Sequence, residues 1–485
     1  MPNSLSLLAL LPLSYLLAGA LLPVFRRDDQ AWSWAEAISL LALFFVLAGA
    51  WPAWLAAQGV MVAVSLLIAL LGWVIVRYSR RYLRGEPGQR RYLLAMLWTL
   101  AGAATVVQTD HLLWLALAWT ATSLTLHRLL LFYPRREAAQ VAAHKKFIAS
   151  RLADVCLWLA LTLIYQQVGS GSLAALSSEL ARQGGTPGLQ LAAILLVFAV
   201  CLKTAQLPVH GWLLQVMEAP TPVSALLHAG VVNLGGVVLI RLAPLLEVVP
   251  LAQWLLVLVG SLTASVAGLV MMTRVSIKLR LAWSTCAQIG FMLLECGLGW
   301  YSLALLHLLA HSLYKAHAFL SAGEVLQHYR QRQGWPALSL PGWPWLCVVP
   351  LLLFVMLLPT GLPAPLCGML SLGLAPCLWQ VASPSLALWG GLRVAGLLAL
   401  YLLWHAVFGQ WLPHGLAPEG AAWWAVAWLT LLYGLQSWLA CHPAGRLAQW
   451  LYPRAYGGFY LDEWFTRLTF RLWPLARPLS AGERP

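Results

Sequence analysis

Acidic residues are scarce in this chain: 16 Asp and Glu in 485 residues, with all four charged types together at 9%. A soluble domain of that length carries far more charge on its surface, and 61% apolar residues with a mean hydropathy of +0.76 exclude one. Cysteine is sparse in pattern as well. The eight (Cys156, Cys201, Cys286, Cys296, Cys347, Cys367, Cys377, Cys441) stand singly, with no CxxC pair and no Cys/His cluster. Metal or iron–sulfur ligation by this chain is therefore not expected, and packing is the better reading of these thiols. Lysine is the rarest basic residue, five against twenty-five arginines. No soluble segment longer than a loop is present, so any soluble active site would have to come from a partner.

What is present is a series of apolar segments of about 20 residues, the length of a helix that crosses a bilayer. They alternate with short basic loops, which predicts an all-α polytopic membrane protein rather than a barrel. Spans fall near 5–24, 32–54, 59–76, 92–109, 112–132, 147–168, 189–213, 223–246, 252–272, 279–298, 301–327, 343–363, 385–408 and 421–441, about fourteen transmembrane helices. The run 364–383, interrupted by Pro376, is a further span or a re-entrant piece, so the range is 13 to 15. The first 25 residues lack a basic leader and run as a full-length span, which reads as a helix rather than a cleaved signal. The expected organisation is N-terminal helices over 1–58, the first part of a core over 59–246, a second part over 247–441 and an amphipathic tail over 442–485.

A net charge of +14 would suggest nucleic acid in a soluble protein. Here the arginines sit between spans, and the positive-inside rule accounts for them. Arg26 and Arg27, the Arg77–Arg91 group, Arg135 to Lys146, Arg274 to Arg280, and Arg330 with Arg332 make every odd-numbered loop basic. Those loops are expected in the cytoplasm and the N-terminus outside. The tail is also basic, which asks for an odd number of spans, in tension with fourteen. Its GFYLDEWFTRLTFRLW stretch reads as an interfacial amphipathic helix.

Charge inside the apolar spans is costly, about 2.5–3.5 kcal/mol per lysine even on lenient insertion scales, and marks function by default. Lys203 is expected in the middle of an apolar helix, and Pro208 follows five residues later, where a proline frees backbone groups that a polar cavity must satisfy. A buried lysine can release its proton, whereas arginine does not. In HLLAHSLYKAHAFLSAGE, His307, His311 and Lys315 recur every four residues and share one helical stripe, about 6 Å per step. His317 points off it. His228 opens the span after APTPVSALL; its bland alternative is a histidine bonded to backbone at a helix start. Lys278, at a cytoplasmic end, is explained nearly as well by loop charge. Glu295 is the deepest carboxylate, a relay member or a fixed counter-charge. Asp110, Glu218 and Glu324 are near apolar segments, Arg393 is placed to snorkel, and Arg151 and Asp154, one turn apart, are expected to pair.

The segments RYLRGEPGQRRYLLAML, DHLLWLALAW, SRLADVCL, LKTAQLPVHGWLLQVMEAPTPVSALLHAG, IKLRLAWSTCAQIGFMLL and HLLAHSLYKAHAFLSAG, spread over about 60–330, resemble in order and spacing the antiporter-like membrane subunits of respiratory complex I and of Mrp-type cation/proton antiporters. The resemblance implies two inverted five-helix repeats, each with a broken helix, around a hydrophilic axis. It places Lys203 on the family's central lysine and His228, Lys278, His307, His311 and Lys315 on the connecting relay. Two departures stand out. Thr120, after Trp119, replaces the family's glutamate partner of the central lysine. The second repeat's broken helix, expected around WLCVVPLLLFVMLLPTG, has Pro350 but neither lysine nor acid. The partner of Lys203 is then sought in Asp110, Glu218, Glu295 or a second subunit.

WTATSLTLHRLLLFYPRREAAQVAAHKKFIASRLAD and GGFYLDEWFTRLTFRLWP are similar to one branch, the membrane subunits of bacterial DAB-type inorganic carbon accumulation complexes. That resemblance implies a multi-pass protein of the inner membrane, in contact with its lipids. It also implies a large soluble partner resembling a β-carbonic anhydrase on the cytoplasmic side, which holds the zinc. No cofactor is expected in this chain. Ion flow, of H+ or Na+, would drive hydration of CO2 to bicarbonate in the partner. The alternative within the family is a proton-pumping subunit of a respiratory NADH dehydrogenase or an Mrp-type antiporter.

Overall fold

The computed structural model describes residues 3–55, 58–324, 343–378, 384–409, 412 and 415–474. Among them every regular element is helical, apart from an isolated bridge between His111 and Ser172. Three helices open the chain, α1 (Asn3–Leu21), α2 (Asp28–Leu55) and α3 (Gly59–Tyr82). A first set of five crossings comprises α4 (Gln89–Gln108), α5 (Leu112–Leu130), α6 (Glu137–Val168), a broken helix, and an interrupted one. The short α7 (Leu173–Gln183) precedes the broken helix, which is α8 (Pro187–Lys203) with α9 (Gly211–Gln215). The interrupted crossing is α10 (Thr221–Ala229) with α11 (Leu234–Arg241), followed by the short α12 (Ala243–Glu247). A second set comprises α13 (Pro250–Met271), α14 (Ile277–Gly297), α15 (Tyr301–Leu320), α16 (Trp343–Leu357) and α17 (Ala364–Leu374). Then come α18 (Pro384–Phe408), α19 (Ala421–Cys441) and a tail of α20 (Arg446–Tyr456) and α21 (Glu463–Leu472). Five is odd, so the second set starts from the opposite side of the membrane, which is what makes the repeats inverted.

Eight of these stretches are long and apolar enough to cross a membrane on their own. The remaining crossings are shorter or more polar, and several of them carry the buried charges. Where α13 and α14 cross, their backbones touch. A Cβ on Gly260 would lie 2.5 Å from the carbonyl oxygen of Gly290, so only glycine permits this approach.

The break after Lys203 has a visible cause. Ala205 adopts a left-handed φ of 55°, and Pro208 offers no N–H. The freed backbone groups find side chains instead: Gln206 Nε2 donates to the Thr204 carbonyl at 3.0 Å, and Leu207 N–H donates to Thr263 Oγ1 at 3.2 Å. Lys203 is thus the last residue of α8 and not mid-helix. In the second set the interruption falls after Leu357, at a 3-10 turn over Leu358–Thr360, while α16 runs continuously through Pro350.

A further sequence reading is corrected. Lys145 and Lys146, taken as loop residues before a span at 147, lie inside α6, which begins at Glu137 and is 32 residues long. At 1.5 Å per residue it is about 48 Å, longer than the ~30 Å hydrocarbon layer, so its basic end projects beyond the apolar slab and is covered by protein instead. Arg90 pairs with Asp28 at 2.6 Å, which sets the loop after α1 on the side of the basic loops. The tail lies on that side too, where Lys145 pairs with Asp462 and Arg274 lies over the Tyr456 ring. Arg330, Arg332 and residues 475–485 lie outside the described residues.

Candidate functional site

The site is a chain of charged and polar groups through the middle of the protein, and its first station is Lys203. Its Nζ lies 2.6 Å from Asp154 Oδ1, the two side chains being 5% and 8% exposed. Thr120 Oγ1 donates to the same Oδ1 at 3.1 Å, and Arg151 holds Oδ2 at 2.7 Å. The Lys203 ammonium also sits 4.9 Å from the centre of the Trp119 ring. The position that lacks a glutamate therefore keeps a hydroxyl, and that hydroxyl orients a carboxylate supplied by the next helix. This corrects the expected partner of Lys203. Asp110 pairs with Arg241 at 2.9 Å and is 80% exposed, Glu218 lies on the surface near Arg136, and Glu295 faces His307.

A second lysine escaped the sequence reading. Lys146 is fully enclosed and donates to the carbonyl oxygen of Ser123 and, at 2.7 Å, to its Oγ. Lys146, Lys203, Ser123 and Ser150 line a cavity of about 20 Å³, room for a single water.

From Lys203 the polar groups continue across α10, α11 and α15. His228 is fully buried, stacks on Phe319 with centroids 4.6 Å apart, and has no hydrogen-bond partner at either nitrogen among the described residues. Lys315 Nζ donates to the Leu281 carbonyl at 3.0 Å and to Ser284 Oγ at 2.8 Å, and among the described residues no carboxylate pairs with it. Asn233, placed by the interruption between α10 and α11, donates to Ser312 Oγ at 2.7 Å and approaches His311 Nδ1 at 3.4 Å. His307 follows, its ring 6.2 Å from that of His311. Glu295 Oε2 lies 3.0 Å from its Nδ1, and Gln288 Oε1 lies 2.8 Å from its Nε2. The stripe read from the spacing is thus one connected face, with His317 exposed outside it. Lys278 stands at the basic end, donating to Thr221 Oγ1 at 3.0 Å.

Pockets reach this chain from its surroundings. On the side away from the basic loops, one of about 190 Å³ is lined by Gln58, Asp110 and Arg241. It shares Val64 and Val237 with a deeper apolar pocket of about 30 Å³ that ends on Asn233 and Ser312. Another, of about 460 Å³, lies between α13, α14, α17 and α19 and touches Gln288. Nitrogen bases strung at short intervals between such pockets can pass protons while remaining screened from lipid.

Inverted five-helix sets, a broken helix ending on a lysine and a buried basic axis define a class, the antiporter-like membrane subunits. Residues 109–395 match the family model described as NADH:quinone oxidoreductase/Mrp antiporter, transmembrane. The chain is 39% identical over 501 aligned residues, 98% of its length and 95% of the relative's, to the probable inorganic carbon transporter subunit DabB of Hydrogenovibrio crunogenus. It is 39% identical to the probable inorganic carbon transporter subunit DabB2 of Halothiobacillus neapolitanus over 86% of this chain and 80% of that one. In fold it is similar to a chain of the membrane-bound sulfane sulfur reductase, an archaeal respiratory membrane complex, at a TM-score of 0.59 and 18% identity over 96% of this chain and 99% of that one. The chain belongs to the NADH:quinone oxidoreductase/Mrp antiporter membrane-subunit family, in the branch of inorganic carbon transporter subunits. It is a multi-pass membrane protein of that family.

Proposed function

We propose that this chain conducts protons through the bacterial inner membrane and so energises accumulation of inorganic carbon. Its basic side faces the cytoplasm and its N-terminus the periplasm, in line with the positive-inside rule. Protons reach the axis from the periplasm by the pocket at Asp110 and Arg241, pass Asn233 to His311, and are handed among His228, Lys315 and Lys203. Glu295 and Asp154 hold the compensating charge at the two ends. The partner is a large soluble subunit resembling a carbonic anhydrase, which binds the zinc and hydrates CO2 on the cytoplasmic side. One charge moving down the membrane potential releases about 2.3 kcal/mol per 100 mV, enough to bias a protonation or conformational step in that partner.

The observation that carries this reading is the set of buried nitrogen bases, Lys203, His228, Lys315, His311 and His307, in a chain similar end to end to a carbon transporter subunit. The chemistry of the series supports H+ over Na+. Sodium, a hard cation, is bound by several oxygens, whereas amines and imidazoles bind protons.

The test is purification of the tagged chain from native membranes with a zinc assay, together with bicarbonate uptake in cells carrying Lys203→Ala. A single large partner bearing about one zinc, and uptake lost while the complex still assembles, are the expected results. Redox or small antiporter subunits in place of that partner, or unchanged uptake, would overturn the proposal.

A further inference from the structure

The tail contributes a charge to the interior. Lys145 is fully buried, and its Nζ lies 2.6 Å from Asp462 Oδ2, a residue 317 positions away at the start of α21. A buried ammonium needs such a counter-charge. The tail is fixed around this pair by two buried side chains and one ring contact. Phe465 and Thr469 are 3% and 1% exposed, and Trp473, itself exposed, stacks flat on His144 with centroids 4.0 Å apart. The Asp462 carboxylate also occupies the space beside Gly211 where any other residue would carry its Cβ.

Behind the carboxylate lies His210, within the broken crossing and seven residues beyond Lys203. It is fully buried, it packs against Trp283 at 5.0 Å, and among the described residues no side chain bonds either ring nitrogen, with the Pro208 carbonyl the backbone group within reach. Buried polar atoms are normally satisfied, and one left open beside an interrupted helix marks a place that a proton or water visits. Asp462 and Lys145 are both within electrostatic reach of it. The two adjacent lysines of α6 divide the space: Lys145 turns to the tail, and Lys146 turns to the cavity it shares with Lys203.

We propose that the C-terminal tail is the seal on the basic-side end of the ion path, with Asp462 as the positioning residue that holds Lys145 and closes the space beside His210. A path open to both sides at once would let the ion gradient run down without work. With Asp462 docked, the space beside His210 is closed to the basic side. With the tail lifted, Lys145 becomes hydrated and water reaches His210 and, past Lys146, the Lys203 site. The seal itself stands on packing alone; that it closes an ion path rests on the function proposed above.

Membrane vesicles turned basic side out, carrying the whole complex, provide the test. A membrane-impermeant thiol reagent is applied to a His210→Cys variant, and labelling at position 210 is followed by peptide mass spectrometry. Labelling is expected to be slow there, and about tenfold faster or more when Asp462→Ala or Gly211→Ala is added, because both substitutions remove the docked carboxylate. Asp462→Glu is expected to restore slow labelling, as is the exchanged pair Lys145→Glu with Asp462→Lys. Fast labelling in the single variant, or no acceleration by either added substitution, would overturn the seal. In parallel, Asp462→Ala and Gly211→Ala with His210 intact are expected to leak protons in proteoliposomes without inorganic carbon. Faster labelling without a leak would leave the seal standing and overturn the proton-conducting function.

Discussion

In the α10–α11 crossing, 89% of the most apolar stretch is buried inside the protein; in α19 the figure is 11%, and in α18 it is 17%. Both regions are apolar helices, yet the first is surrounded by protein and the second faces outward. Charge follows the same division. Between residues 343 and 441 the only charged residues are Arg393 and Glu419, whereas α5 to α15 enclose Asp154, Lys146, Lys203, Glu295 and Lys315. The difference teaches where buried charge is tolerated. An ionised side chain is tolerated in a membrane where protein supplies its partners, and the rim has none to supply. The last charged station is Glu295 with His307, and α16 to α19 form a wall around it. The 460 Å³ pocket at Gln288 is the place where that wall is open.

The largest effect expected in the charged region is from Asp154→Ala. It leaves Lys203 buried beside Arg151 without a carboxylate, and removing one partner of a buried pair costs about 3–5 kcal/mol. Loss of carbon-dependent growth with a clear drop in the melting temperature of the purified complex is expected. Retention of both would mean that the pair is incidental. A second change sharpens the point. Thr120→Glu combined with Asp154→Asn returns the carboxylate to α5, within reach of the same ammonium. Uptake is expected to recover at least in part relative to Asp154→Asn alone. No recovery would show that the helix carrying the charge matters and not the charge itself.

These residues also show what could be read in the chain beforehand. The stripe of His307, His311 and Lys315 was legible because a spacing of four fixes one face of a helix. The break at Lys203 was legible because proline ends a helix locally. Asp154 as partner of Lys203 was not, since their meeting depends on how α6 packs against α8, which no local pattern encodes. Lys145 and Lys146 were misread because a basic segment at a span's edge looks the same whether it is a loop or the end of a long helix. The one discriminating sign was their identity: two of five lysines, in a chain whose loops otherwise use arginine. Asn233 was missed because an asparagine after Gly230 reads as a turn residue, and only the fold brings it to His311.

Asn233→Leu tests the connection between the pockets on the side away from the basic loops and the stripe, with a smaller expected effect. Leucine fills a similar volume but removes the donor to Ser312 and the contact with His311. Loss of one buried hydrogen-bonding group costs about 1–3 kcal/mol, so bicarbonate uptake is expected to fall about tenfold while assembly is kept. Equal uptake would mean that protons reach His311 by another route, and attention would pass to the pocket at Gln288.

The smallest effect is expected on the rim. Arg393 lies in α18, exposed, and its long side chain can carry the guanidinium toward the headgroups, so its charge is solvated without a protein partner. Arg393→Gln removes the charge and leaves the apolar stem. Surface changes of this kind stay within about 0.5 kcal/mol, and uptake in membranes containing the full complex is expected to change less than about twofold. A loss as large as that of Asp154→Ala would break the comparison outright. It would mean that the outward face of α18 meets a charged group of another subunit, and that functional charge extends into the rim beyond Glu295 and His307.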